Sequence, residues 1–260
     1  MASVGNPQDD PRTAAGRVAL IAGGTGPIGV ATARALSARG AQVVVLYRNR
    51  SEIAEGLVAE LGAQSTMAIR ADVGDPGDLN AAVAAAEERF GPVEIVVNAA
   101  HPHQPPVAVA DATTDQVRTE FDAVAAHASL CSRVVPAMRE RGYGRIVYVS
   151  GALMSRAVPG FGLYGAAKAA ATTLTRYVAH EEGRHGILAG IVAPGRVVDP
   201  ADDLEPSPEM AEAARHLLSR MALPVFPTSD EVAEAILALV ETTSLTGQVL
   251  WVTGGEPIWS

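Results

Sequence analysis

Seven short apolar runs constrain this chain more than anything else in it. They are Val18 to Ala22, Gln42 to Tyr47, Ser65 to Arg70, Val93 to Asn98, Arg145 to Ser150, Ile187 to Ala193 and Gln248 to Val252. A strand with one wet face alternates apolar and polar residues, whereas these runs are almost unbroken, so each must be covered on both faces. Ala-rich stretches of helical spacing separate them, in the order expected of βαβ units. The fold class that follows is α/β: a doubly wound parallel sheet of seven strands with helices on both faces. Such sheets hold ligands outside the carboxyl ends of their strands, which singles out the loops after Ala22, Tyr47, Asn98, Ser150 and Ala193.

Residues 1–16 mix Pro, Gly, Asp and Asn without periodicity and read as a flexible tail, leaving 17–260 as a single domain. Within it, residues 198–223 are rich in Pro, Asp and Glu and read as an insertion or lid on the substrate side. Twenty Lys and Arg against 29 Asp and Glu give a net charge of -9, the sign that nucleic acid and anionic lipid repel. No run approaches the roughly 18 apolar residues of a membrane span, and no signal-peptide pattern precedes the first strand, so the expected setting is cytoplasmic, without nucleic-acid or membrane partners. A lone cysteine, Cys131, allows neither an internal disulfide nor a cysteine-based zinc site. With aromatics at 4%, the core must be aliphatic.

Between the first strand and its helix stands Ala22-Gly23-Gly24-Thr25-Gly26-Pro27-Ile28-Gly29, in which Gly23, Gly26 and Gly29 fit G-x-x-G-x-x-G. Small residues there let the backbone approach a pyrophosphate, and the helix N-terminus offers N–H groups and the positive end of its dipole. Gly23, Thr25, Gly26, Ile28 and Gly29 are therefore candidate cofactor contacts. Pro27 is tolerated in a first helical turn, at the loss of one N–H. The second strand ends Tyr47-Arg48-Asn49, without the carboxylate that would accept from a ribose 2′-hydroxyl. A guanidinium at Arg48 suits a 2′-phosphate instead, which points to NADP(H); the plain alternative is a solvated loop arginine. Tyr164 and Lys168 lie four apart on a helix, so the ammonium can sit near the phenol and lower its pKa, fitting the phenol to move the proton that accompanies hydride transfer at a carbonyl.

In order and spacing, Asp72-Val73, Val97-Asn98-Ala99-Ala100, Tyr164-Gly165-Ala166-Ala167-Lys168, Ala193-Pro194-Gly195 and Thr246-Gly247 join the glycine loop. From about Arg17 to Gly255 the chain resembles the short-chain dehydrogenase/reductase family. The resemblance implies a Rossmann-type sheet, a nicotinamide cofactor, a small-molecule substrate and a homotetramer or homodimer. It implies that Asp72 and Val73 contact the adenine, that Asn98, Ala99 and Ala100 line the cofactor trough, and that Pro194, Gly195 and Val197 flank the nicotinamide. It assigns acid/base chemistry to Tyr164, with Lys168 as its tuner and ribose anchor.

Two positions depart from that pattern. The resemblance implies a serine thirteen residues before the tyrosine, and that position is Gly151; Ser150 is adjacent, with its side chain on the other face of an extended segment. It also implies an asparagine in the helix after the fourth strand, and no asparagine follows Asn98. Between Phe121 and Leu130 the polar residue fit for an inward role is His127. His101 and His103 follow the fourth strand and could supply the donor that Gly151 lacks. Read instead as metal ligands, His101, His103 and His127 lack a carboxylate or cysteine at ligand spacing, and no metal is expected. The catalytic candidates are Tyr164, Lys168, His101, His103 and Ser150. The leading reading is an NADP(H)-dependent oxidoreductase acting on a carbonyl or alcohol; alternatives on the same fold are a non-redox enzyme of cyclisation, elimination or isomerisation, and a cofactor-binding regulatory protein.

Overall fold

In the computed structural model, which describes residues 10–199 and 208–256, the expected sheet forms. Its strands are β1 (Val18–Ala22), β2 (Gln42–Tyr47), β3 (Thr66–Arg70), β4 (Val93–Asn98), β5 (Gly144–Val149), β6 (Ile187–Pro194) and β7 (Val249–Val252). All pair in parallel, in the order β3-β2-β1-β4-β5-β6-β7. The expected seven-stranded parallel sheet is observed, with strand ends displaced by a residue or two.

The helices are α1 (Pro27–Ala38), α2 (Ser51–Leu61), α3 (Pro76–Phe90), α4 (Thr114–Arg141), α5 (Gly162–Glu182), α6 (Pro208–Leu218) and α7 (Ser229–Val240). One face of the sheet packs on α3, α4 and α5 through Leu79, Val83, Leu130, Val134, Met138 and Ala179. The other packs on α1, α2 and α7 through Ala33, Leu36, Leu57, Val232 and Ile236. Local chemistry sets the helix ends. Asp75 accepts from the N–H groups of Gly77 and Asp78 to start α3, and Thr113 with Gln116, like Thr228 with Glu231, forms a reciprocal capping box. Gly142 ends α4 in the left-handed conformation.

The packed body begins earlier than Arg17. Ala14 is fully buried, Gly16 N–H donates to the Gly40 carbonyl, and the Arg145 guanidinium donates to the carbonyl of Pro11. Polar composition concealed this because residues 10–16 are held by backbone hydrogen bonds and by one small apolar side chain, that of Ala14. Residues 1–9 of the expected tail, and 200–207 of the expected lid, lie outside the described residues. The sheet order reverses between β1 and β4, and ligands of doubly wound sheets lie beyond the carboxyl ends at such a point.

Candidate active site

Two hollows open at that reversal. The smaller, of about 200 Å³, is lined by Gly23, Gly26, Pro27, Ile28, Gly29, Ala99, Val197, Asp199 and Ser229. Gly23 has φ +73°, and a Cβ there would stand 2.7 Å from the Ala100 nitrogen; a Cβ on Gly29 would stand 2.3 Å from the Gly23 carbonyl. Only glycine lets the loop fold this tightly against β4. Pro27 takes the first turn of α1, and no side chain caps that N-terminus. Asp199 brings a carboxylate to the rim, where its two oxygens accept from the Ser229 N–H and hydroxyl, each at 2.7 Å.

At the tip of β2, Arg48 lies 3.5 Å from Asp72 with its side chain 59% exposed, so the guanidinium can still meet an incoming anion. Arg50 donates to the Thr25 carbonyl at 3.1 Å and Arg70 to the Arg48 carbonyl at 3.2 Å. Arg50 thereby fastens the β2 tip to the glycine loop, and Arg70 fastens it to the end of β3. Asp72 also accepts from Gly74 N–H, and Val73 packs against the core. Asn98 is buried, with Oδ1 accepting from Ala100 N–H and Nδ2 3.1 Å from His127 Nδ1. Its side chain holds the loop from beneath, and Ala99 lines the trough. Beside the trough, Gly195 donates its N–H to the Val252 carbonyl, and a Cβ there would stand 2.7 Å from Glu256 Oε2.

The larger hollow, about 400 Å³, runs from Pro102, Pro105, Pro106 and Val107 to Phe161, Leu163 and Tyr164, with His101, His103, Gln104 and Glu120 as its polar lining. None of the described residues of 198–223 lines it. Tyr164 projects from the first turn of α5, and an ideal Cβ on Gly151 would stand 3.0 Å from its phenol oxygen. Gly151 thus occupies the place beside the phenol where a side chain would touch it. Lys168, one turn on, is fully buried; Nζ donates to the Val149 carbonyl at 2.8 Å and lies 5.6 Å from the centre of the Tyr164 ring.

The electrostatics correct the expected tuning. Burial drives the Lys168 pKa down to about 7, a shift that a negative charge on Glu120 would oppose. Burial drives the phenol of Tyr164 up to about 12, and a negative charge on Glu120 would add to the rise. Burial is thus the largest influence on the phenol, while the Lys168 ammonium is directed at the Val149 carbonyl.

The remaining candidates disperse. Ser150 turns away from the phenol: its hydroxyl is 2.9 Å from Thr172 Oγ1 and reaches the Lys168 carbonyl, so it is not a group that meets substrate. His103 is exposed on the cavity rim. His127 points inward as expected, but its ring nitrogens meet Asn98 and Thr175, and burial lowers its pKa to about 4. His101 stands edge-on to Tyr164, ring centres 4.7 Å apart. Its Nε2 lies 2.8 Å from Glu120 Oε2, and its Nδ1 is sealed from solvent without a partner, so neither nitrogen is presented to the cavity. Burial and the Lys168 charge lower the His101 pKa to about 3.

Glu120 is the residue the sequence reading missed. It precedes the stretch searched for an inward polar group by one position. The signal was present: Glu120, Val124, His127, Cys131, Val134 and Met138 fall at helical spacing on one stripe of α4, and all but the partly buried Val124 are buried.

This geometry defines a class: an α/β oxidoreductase with a dinucleotide-type glycine loop and a tyrosine–lysine pair beside it. The chain belongs to the short-chain dehydrogenase/reductase family, and a family model described as enoyl-(acyl carrier protein) reductase matches residues 23–256. It is 31% identical over 218 residues to an NADPH-dependent aldehyde reductase-like protein of Arabidopsis thaliana, covering 78% of this chain and 80% of that one. It is 32% identical over 253 residues to the short-chain reductase protein NovJ of Streptomyces niveus, covering 92% and 94%. A crystal structure of gluconate 5-dehydrogenase from Burkholderia cenocepacia, in complex with NADP and tartrate, superposes with TM-score 0.83 at 26% identity, covering 95% of this chain and 97% of that one.

Proposed function

We propose that the protein is an NADP(H)-dependent oxidoreductase that interconverts a carbonyl and an alcohol on a small organic substrate. The observation that carries this reading is the pairing of the Tyr164 phenol with the buried Lys168 ammonium beside a glycine-walled groove. The groove fits a dinucleotide: its glycines leave no room for side chains, and no side chain caps the N-terminus of α1. Gly23, Gly26, Ile28 and Gly29 would hold the pyrophosphate, Arg48 the 2′-phosphate, and Ala99 and Val197 the walls of the trough. When bound, the cofactor supplies the hydride donor or acceptor.

The chain's own part is proton handling. Tyr164, protonated at neutral pH, donates its proton to the substrate oxygen as that oxygen gains charge. Lys168, with Nζ fixed by the Val149 carbonyl, provides positive charge close by. Pro102, Pro105, Pro106 and Val107 give the substrate body an apolar wall. The Arabidopsis relative is named as NADPH-dependent and the Burkholderia structure holds NADP, which supports the choice of cofactor. Exposed Val117 and Phe121 on α4 and Tyr177 on α5 suit packing against a second copy, giving a homodimer or homotetramer. Gly151 favours one second reading, non-redox chemistry on the same fold.

The deciding experiment follows NADPH absorbance with a panel of ketones in wild type and Tyr164→Phe, alongside titration of NADPH and NADH into wild type and Arg48→Asp. Ketone-dependent oxidation that falls about 100-fold or more in Tyr164→Phe is expected. NADPH should bind about 10- to 100-fold more tightly than NADH, a preference that Arg48→Asp removes. NADPH binding without turnover of any ketone would favour the non-redox reading, and equal affinities would remove Arg48 from the cofactor site.

A further inference from the structure

Glu120 is the only carboxyl on the wall of the cavity that holds Tyr164 among the described residues. Building on the carbonyl–alcohol reading above, we propose that Glu120 is a second catalytic group of this site: a carboxylic acid whose Oε1 donates a hydrogen bond to the substrate oxygen beside Tyr164, with His101 as its positioning residue.

An ideal Cβ on residue 151 would stand 3.0 Å from the phenol oxygen, yet glycine offers no donor there, and the Ser150 hydroxyl is committed to Thr172 on the far side. Glu120 lines the same cavity with its side chain only 5% exposed. Its Oε2 meets His101 Nε2 at 2.8 Å, while Oε1 has no hydrogen-bond partner among the described residues.

His101 fixes where the protons sit. Its Nδ1 is buried and unpartnered, and a buried lone pair without a donor is less costly than a buried N–H without an acceptor. The ring proton therefore belongs on Nε2, donating to Glu120 Oε2. That leaves Oε1 as the oxygen to carry the carboxyl proton, on a residue that lines the cavity. The apolar wall of Pro102, Pro105, Val107, Phe161 and Leu163 favours the neutral acid. Burial raises the Glu120 pKa, and the Lys168 charge opposes the rise without cancelling it. The titratable groups facing Glu120 are His101 from the loop after β4, Tyr148 from β5, and Tyr164 and Lys168 from α5.

The chemistry balances without a second proton transfer. As charge develops on the substrate oxygen, Tyr164 gives up its proton and Glu120 keeps its own, acting as a preorganised neutral donor of the kind that a carboxylic acid in an apolar site can supply. The arrangement also states a substrate class: an uncharged ketone or secondary alcohol with a compact apolar body. A substrate carboxylate or phosphate would lose hydration against the apolar wall of Pro102, Val107, Phe161 and Leu163.

The test compares Glu120→Gln and Glu120→Leu with wild type and Tyr164→Phe, on uncharged ketones with NADPH, from about pH 5 to 9. Gln keeps a neutral N–H donor of the same size, so its rate should stay within about 10-fold of wild type. Its alkaline limb should reflect the loss of the Lys168 charge alone, whereas wild type adds the ionisation of the carboxyl. Leu should lose about 100- to 1,000-fold in kcat with little change in KM. Independently of turnover, the infrared difference between wild type and Glu120→Gln at neutral pH should contain the carbonyl band of a protonated carboxylic acid. A Leu variant as fast as wild type, a Gln variant as slow as Leu, or an infrared band of carboxylate alone would each overturn the proposal. If wild type reduces no ketone, the carbonyl–alcohol reading fails. The infrared band and calorimetric titration with cyclohexanone then decide Glu120: weaker binding to the Leu variant supports the assignment, and unchanged binding overturns it.

Discussion

Two buried cations meet opposite ends of β5, and they are treated differently. Arg145, near its start, donates to five carbonyls, those of Val240, Gly144, Gly186, Pro11 and Thr242, and stacks 4.3 Å from the Tyr143 ring. Two of those carbonyls close the carboxyl end of α7, where a helix dipole favours positive charge. Lys168, at the far end, has one carbonyl, that of Val149, and two ring faces at 5.1 and 5.6 Å. A cation so fully coordinated is a structural clamp; one left with spare hydrogen-bonding capacity, its pKa drawn down to about 7, is equipped to interact with something that arrives later.

Replacing both cations with methionine should break this comparison open. Lys168→Met should lower the reduction rate by about 100- to 1,000-fold, the scale of removing one preorganised charge from a dry site. It should not reduce stability at neutral pH, because the buried ammonium is a cost there. The sign follows from proton counting. Between about pH 7, the native value, and 10.5, the ordinary one, the unfolded chain holds a proton on Lys168 that the native chain has released. Wild-type stability should therefore rise with pH across that window and level off above it, whereas below it the penalty is present in full. Chemical denaturation of Lys168→Met should lack this rise; the same slope in both proteins would contradict the assignment.

Arg145→Met should act the other way, destabilising the protein by about 3–5 kcal/mol because the carbonyls it gathered lose their donor. NADPH affinity in the folded fraction should be unchanged, as titration would show. The smallest effect belongs to Gly151→Ser. Its Cβ would stand 3.0 Å from the Tyr164 oxygen, so the phenol must give by a few tenths of an ångström. With Glu120 already serving as donor, the rate should change by less than about 10-fold. A gain of about 100-fold or more would show that the place beside Tyr164 had been truly vacant.

These contrasts bear on what could be read from the chain alone. The strands were legible because an unbroken apolar run has few other uses, and the glycine loop because its φ and close approaches exclude side chains. Tyr164 and Lys168 were legible through helical spacing. Ser150 and His101 were named for their chemistry, but backbone pleat turned the first toward Thr172, and the pairing with Glu120 occupied the second. Glu120 lies one position before the stretch from Phe121 to Leu130, and a single carboxylate at helical spacing is ordinarily solvated, so nothing local marked it.

The doubly wound sheet, the place of the glycine loop and the pairing of Tyr164 with Lys168 were all written in the chain, because each follows from local periodicity or from steric exclusion. Which polar groups meet in the cavity, and in which direction burial shifts them, depended on long-range packing. His101 and Glu120 are 19 residues apart and come together through the packing of the β4 loop on α4. Their burial, with that of Lys168, depends on how that loop and α5 close over one another, and desolvation at that junction sets the pKa values of all three.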